Sequence, residues 1–378
     1  MPALGAVLIA LVIALIATAC SSSSPSGTVT ATSPSPSVDP SPSPSPSPSP
    51  SPAPPPAPPA PSVAPPPKPT PSRKPSPIAP AAVNPTPAKG LFVIGREGTG
   101  LLTSPGGSPA GRLRGGVMVP IKALAAGEAQ ILTPCERTAW VPTGAGEIVQ
   151  SATVVLDPGH GGKETGAIGP TGLTEKEINL GVAKSAAAVL RKEGISVVLT
   201  RDQDYRATLV FRAELAASVN PKIMISIHHN AEPDGPLGHP GTETFYQFHS
   251  AASKRMAGLL QEEVPAALSA YPAQWVGERD AGAKWHLNSG GLDYYGILRR
   301  PAALGVTSTL AELAYVSNPT EEALLARADV QQAEGAAVAK AVLRFLRTND
   351  PGSGFVVPLP RGEAGGPGGG AAGCVDPS

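Results

Sequence analysis

The sequence predicts an α/β fold over residues 150–348: a three-layer sandwich with a mostly parallel central sheet and helices on both faces. Two observations predict it. Short β-branched runs recur at TVVL (153–156), ISVVLT (195–200), KIMISI (222–227) and VTSTLAEL (306–313), and segments with helical spacing separate them. Composition then confines the fold. Most of the 47 prolines crowd into residues 21–89, where no core can form, which leaves about 90–348 as the foldable part.

Ahead of that part, residues 1–20 carry the apolar run LGAVLIALVIALIAT, the length of a signal-peptide core and short for a membrane span. Small residues before Cys20 resemble a bacterial lipobox, in which Cys20 would be lipidated. Ordinary secretion and an uncleaved anchor are the alternatives, and all three imply export, either to the cell envelope as an anchored protein facing the wall or as a secreted one. Residues 21–89 are Ser/Pro repeat, expected to be a disordered polyproline spacer. At ~3.1 Å per residue it reaches on the order of 200 Å, a length suited to crossing a thick wall. Residues 90–149 hold apolar runs broken by Gly and Pro (LFVIG, GVMVPIKAL, AQILTP, TAWVPTG), read as four or five short strands. This β-rich segment is either a small binding module or an extension packed on the main domain. The Gly-rich tail, 349–378, is expected to be disordered.

Charge excludes one class of partner. Basic and acidic residues number 29 each, with no basic run, so no nucleic acid is expected. The chain is expected to be monomeric and to meet a membrane only through its N-terminal segment. Cys135 and Cys374 are left as a disulfide or as two free thiols.

In the main domain the first strand stops at Asp157-Pro158-Gly159 and hands His160 to a loop. Thr174 reads as an N-cap with Glu177 three residues on, and Glu175 sits just before a helix in which Ile178, Val182, Ala186, Val189 and Leu190 share a face. Arg201 to Asp204 turns into a helix near 209–219. The strand 222–229 delivers His228 and His229, and alternation puts them on opposite faces. A fourth strand over 242–248 and a helix over 250–270 follow. Residues 271–293 are irregular, a candidate flap, with Trp285 read as partly buried. Glu312 lies in the last strand between apolar neighbours, where a carboxylate is costly unless paired. Helices close the domain near 319–326 and 330–347.

His160, Glu175 and His228 each stand at or beside an element end, and imidazole and carboxylate are zinc ligands. Spacing alone leaves this open. The segments LDPGHGG (156–162), GLTEKEINL (172–180), LTRDQD (199–204), SIHHNA (226–231) and AELAYVSNP (311–319) occur in this order. Together they resemble the zinc-dependent N-acetylmuramoyl-L-alanine amidases, over about residues 153–347. The resemblance implies that His160, Glu175 and His228 bind Zn2+ and that Glu312 is the catalytic glutamate. It implies a cell-wall enzyme acting on peptidoglycan, cutting the amide between N-acetylmuramic acid and L-alanine. Asn230 is a candidate donor to substrate, and His229 is not assigned to the metal. Gly161 and Gly162 are read as clearing room for a bulky glycan-peptide. A catalytically silent wall-binding protein and a polysaccharide deacetylase are the other readings.

Overall fold

The computed structural model describes residues 84–360 and 369–378. The signal or lipobox segment and the Ser/Pro linker lie outside the described residues. Among the described residues no helix is long and apolar enough to cross a membrane.

A six-stranded sheet carries the main domain. Its strands are β1 (Val154–Pro158), β2 (Val197–Leu199), β3 (Ile223–Asn230), β4 (Glu243–Tyr246), β5 (Ala283–Lys284) and β6 (Ser308–Tyr315). The order across the sheet is β2-β1-β3-β6-β4-β5. The β2/β1, β1/β3, β3/β6 and β4/β5 pairs run parallel, and β4 lies antiparallel to β6. The β structure as a whole is not mostly parallel, however. The larger sheet, built from eight strands between Thr86 and Val149, is antiparallel throughout. Its chain runs forward and back through short turns, which only antiparallel pairing permits.

Six helices accompany the sheet: α1 (Glu175–Lys192), α2 (Leu209–Ser218), α3 (Ala251–Leu268), α4 (Gly296–Ala303), α5 (Pro319–Leu325) and α6 (Ala328–Arg347). On one face α1, α3 and α6 pack over Val154, Leu156, Ile223, Ile225 and Ile227. The alternate residues Val155, Met224 and Leu310 face α2, α4 and the antiparallel sheet, through Phe211, Ile297 and Val119. The 90–149 segment thus shares a core with the main domain instead of standing apart from it. Lys122 pairs with Glu214 of α2 at 2.6 Å across that contact.

The periodicity reading of α1 holds where it matters. Ile178, Val182, Ala186 and Leu190 are fully buried on one stripe. The helix starts three residues before its first patterned apolar residue, Ile178, so Glu175 is its first residue, and the Glu177 carboxylate accepts from the Thr174 hydroxyl at 2.7 Å. At α5 the cap is Asn318, whose side chain accepts from the N–H groups of Thr320 (2.9 Å) and Glu321 (3.1 Å). Asn318→Ala leaves those donors without their partner and should lower stability by about 1 kcal/mol, read as a urea midpoint shift at constant m-value.

The tail departs from expectation in the described residues. Phe355 bridges to Ala283 beside β5, and an added Cβ at Gly352 would lie 2.7 Å from the Gly258 backbone of α3. Cys374 is disulfide-bonded to Cys135 across a separation of 239 residues. Composition alone suggested a chain too poor in apolar side chains to order itself. Close backbone contact, a covalent link and a few side chains, Phe355 against Tyr246 and Asp376 paired with Arg137, order it instead.

Candidate metal centre and cleft

The parallel strands end together at one sheet edge, and the candidate residues gather there. Asp157, the next-to-last residue of β1, is fully buried. Its carboxylate accepts from Ser226 Oγ at 2.6 Å, from the Thr200 hydroxyl, and from Arg212 Nη1 at 2.5 Å. Burial works to raise this carboxyl, but the Arg212 charge and the two hydroxyls outweigh it and hold it below its ordinary value. Arg212 also donates to the carbonyls of Pro158 (2.8 Å) and His160 (2.7 Å). Arg201, equally buried, donates to Pro158 O (3.0 Å) and Gly159 O (2.8 Å). Two guanidiniums therefore clamp the backbone of the turn that presents His160.

That turn is unusual in its dihedrals. His160 has φ +59°, followed by Gly161 at +134° and Gly162 at +59°. A left-handed conformation at a residue with a side chain persists only where its surroundings enforce it. The glycines serve the turn, which corrects the reading that they make room for substrate. A Cβ on Gly161 would lie 2.1 Å from Tyr205 O, and one on Gly159 would lie 2.2 Å from the His228 ring.

Glu175, His228 and His160 meet above this turn. The Glu175 carboxylate reaches His160 Nε2 at 3.1 Å and His228 Nδ1 at 2.8 Å. It is held by Ala167 N (2.9 Å), Asn179 Nδ2 (3.1 Å) and His229 N (3.2 Å). Burial opposes its charge, but the two imidazoles prevail and keep it well below the usual carboxylate range. Burial lowers His228, favouring the neutral ring that a metal requires. Burial also acts against a charged His160, yet Glu164 and Glu175 raise it to about 9. Among the described residues these three side chains form the one group able to hold a metal ion, their ligand atoms within 4.8 Å of one another. Two imidazole nitrogens and a carboxylate oxygen are a donor set of catalytic metals that keep a position for water.

Glu312 stands directly across from His228 in the β3/β6 register. The register shifts just beyond, so that Asn230 pairs with Tyr315, an irregularity of the kind that re-aims side chains at a sheet edge. Burial, with the Glu175 and Glu243 charges, pushes the Glu312 carboxyl well above its usual range. It lines a cleft of about 310 Å³ together with His160, His228, Glu164, Arg212 and Tyr295.

Other candidates are placed differently. The Asn230 amide donates to Glu243 Oε2 at 2.6 Å and to the Tyr315 hydroxyl at 3.1 Å, tying β3 to β4 and β6. His229 faces the opposite side, as alternation requires, bonded to Asn179 Oδ1 at 2.8 Å and paired with buried Glu334 at 3.2 Å. The 271–293 segment is anchored, not loose, since Lys284 of β5 is buried in ion pairs with Glu243 and Asp280. Trp285 is half-buried beside Tyr246 and Phe248.

Three contributors went unnoticed in the sequence: Arg212, Glu164 and Asn179. Arg212 left a readable trace, a charge inside the apolar helix LVFRAELAA. Glu164 and Asn179 left none beyond their closeness to His160 and Glu175.

The family model for N-acetylmuramoyl-L-alanine amidase matches residues 154–344. The Bacillus subtilis protein YqiI is 31% identical over 218 residues, covering 57% of this chain and 92% of its own. The N-acetylmuramoyl-L-alanine amidase AmiA of Escherichia coli is 30% identical over 233 residues, covering 52% of this chain and 77% of its own. The amidase LytC of Bacillus subtilis is 32% identical over 201 residues, 53% of this chain but 36% of LytC.

Proposed function

Because the chain belongs to the N-acetylmuramoyl-L-alanine amidase family, we propose that it hydrolyses the amide between N-acetylmuramic acid and L-alanine in peptidoglycan, using zinc held by His160, Glu175 and His228. The catalytic domain is residues 150–348, and the enzyme works outside the cell, in the envelope. The observation that carries the reading is the convergence of three ligand atoms within 4.8 Å of one another, two of them, on His160 and His228, belonging to residues that line the same cleft as Glu312.

Bound there, zinc would supply a Lewis acid and a water of lowered pKa. The residues do the rest. His160 is presented by a turn whose backbone Arg212 and Arg201 clamp, so its Cα is held in place by the fold itself. Glu175 is oriented by three N–H donors. Glu312 takes a proton from the attacking water and delivers it to the departing amine; its pKa, raised by burial and by neighbouring carboxylates, suits a group that must both accept and release a proton.

The test is digestion of purified sacculi by the purified chain. Release of free stem peptides is expected, lost on treatment with a chelator and restored by zinc. Binding to sacculi without peptide release would favour the wall-binding alternative, and release of acetate would favour a deacetylase.

A further inference from the structure

We propose that the C-terminal residues 369–378 form a strap that positions His160 through Arg206 and Glu164, and that the Cys135–Cys374 disulfide holds the strap in place. The proposal rests on the reading of His160 as a zinc ligand.

The contacts form one unbroken line. His160 turns Nε2 toward Glu175 and Nδ1 toward Glu164 Oε1, 3.2 Å away. The other oxygen of Glu164 accepts from Arg206 Nε at 3.1 Å. The two remaining nitrogens of that guanidinium donate to Ala372 O and Gly370 O, each at 2.8 Å. Leu209 N donates to Gly369 O at 3.0 Å, and Gly369 is itself part of the cleft lining. Below the strap Cys374 is bonded to Cys135. Asp376 accepts from Cys135 N at 2.9 Å and from Arg137 Nε at 2.8 Å, and Arg114 N donates to Pro377 O at 2.9 Å.

Each link has a physical reason. When a metal takes one nitrogen of a histidine, a carboxylate on the other fixes the tautomer and the ring plane, and losing such a partner weakens metal binding about 10–100-fold. The Glu164 side chain is 34% exposed, so packing alone constrains its rotamer only in part. A half-exposed ion pair is by itself weak and poorly ordered. Arg206 becomes a fixed partner because its fork is satisfied on the far side by two strap carbonyls. The strap, in turn, reads GGAAG over 369–373. It has no side chain larger than a methyl group with which to hold itself, so its seat depends on the disulfide and the Asp376 contacts just after it. Glu164 and Arg206 are positioning residues in this account, and the disulfide makes the metal centre sensitive to reductant.

The experiment is zinc competition against a chromophoric chelator, using the full chain. Cys374→Ser should weaken zinc binding about tenfold. Arg206→Gln should do the same, and the Arg206→Gln/Cys374→Ser double variant should lose no more than either alone, because both cut one line. Cobalt substitution should show the same altered visible spectrum in all three. If Cys374→Ser does not fold, phosphine reduction of the native protein, with its circular dichroism unchanged, gives the same comparison. Wild-type zinc affinity after loss of the disulfide overturns the strap proposal, as do additive losses in the double variant. A wild-type chain that binds no zinc overturns the underlying assignment of His160 instead, so the two failures are told apart.

Discussion

Glu312→Gln should lower kcat for stem-peptide release about 10³-fold while leaving the zinc content of the purified chain unchanged. Glutamine keeps the shape and hydrogen-bonding reach of the side chain but can neither accept nor deliver the proton. Glu312 is not one of the three side chains able to hold a metal ion, so the substitution leaves that group as it is. The loss should fall on kcat with KM nearly constant, since the group acts on the reacting atoms and not on distant parts of the substrate. Removing a buried like charge near Glu175 and Glu243 should also leave stability equal or slightly higher, because those charges disfavour an ionised Glu312 in the folded state. A variant with full zinc and undiminished turnover would mean that another group carries the proton.

The centre of this site could be read from the chain because its chemistry sits at the ends of regular elements. His160, His228 and Glu312 follow apolar strand runs, and Glu175 opens a patterned helix. Residue order along the chain thus became residue position at one sheet edge. What stayed hidden was whatever depends on partners distant in sequence. Gly-rich residues 369–373 have no periodicity to read, yet they are seated by Arg206, 164 and 166 residues away from the carbonyls it bonds. Alternation correctly turned His228 and His229 apart, but it could not show that Asn230 would spend its amide on Glu243, which lies on a strand still to come. The short helix α4, which with its cap brings Tyr295, Gly296 and Ile297 to the cleft, is only eight residues long and follows directly on the irregular 271–293 stretch, so its apolar spacing had little length in which to be read.

Asp157 is where the sequence motif and the fold's stability coincide, and Asp157→Ala should destabilise the chain by about 3–5 kcal/mol, the range for breaking a buried ion pair. The carboxylate has three partners and no exposure, and its removal leaves Arg212 buried with one charge fewer to answer it. Because the folded-state pKa of Asp157 is depressed, its contribution is complete above the ordinary carboxyl range and drains away as pH falls through the folded value. The gap between wild type and Asp157→Ala in urea unfolding should therefore be full at neutral pH and shrink on acidification below about pH 4. Arg212→Met should cost at least as much, since it also strips donors from the carbonyls of Pro158, His160 and Ala207. The double variant should cost less than the sum of the two by about 0.5–3 kcal/mol, the coupling of groups in one network. Strict additivity would mean that the pair does not act as a unit. The same variants tie stability to chemistry: Arg212 holds the backbone oxygen of His160 itself, so Arg212→Met should weaken zinc binding under conditions where the chain is still fully folded.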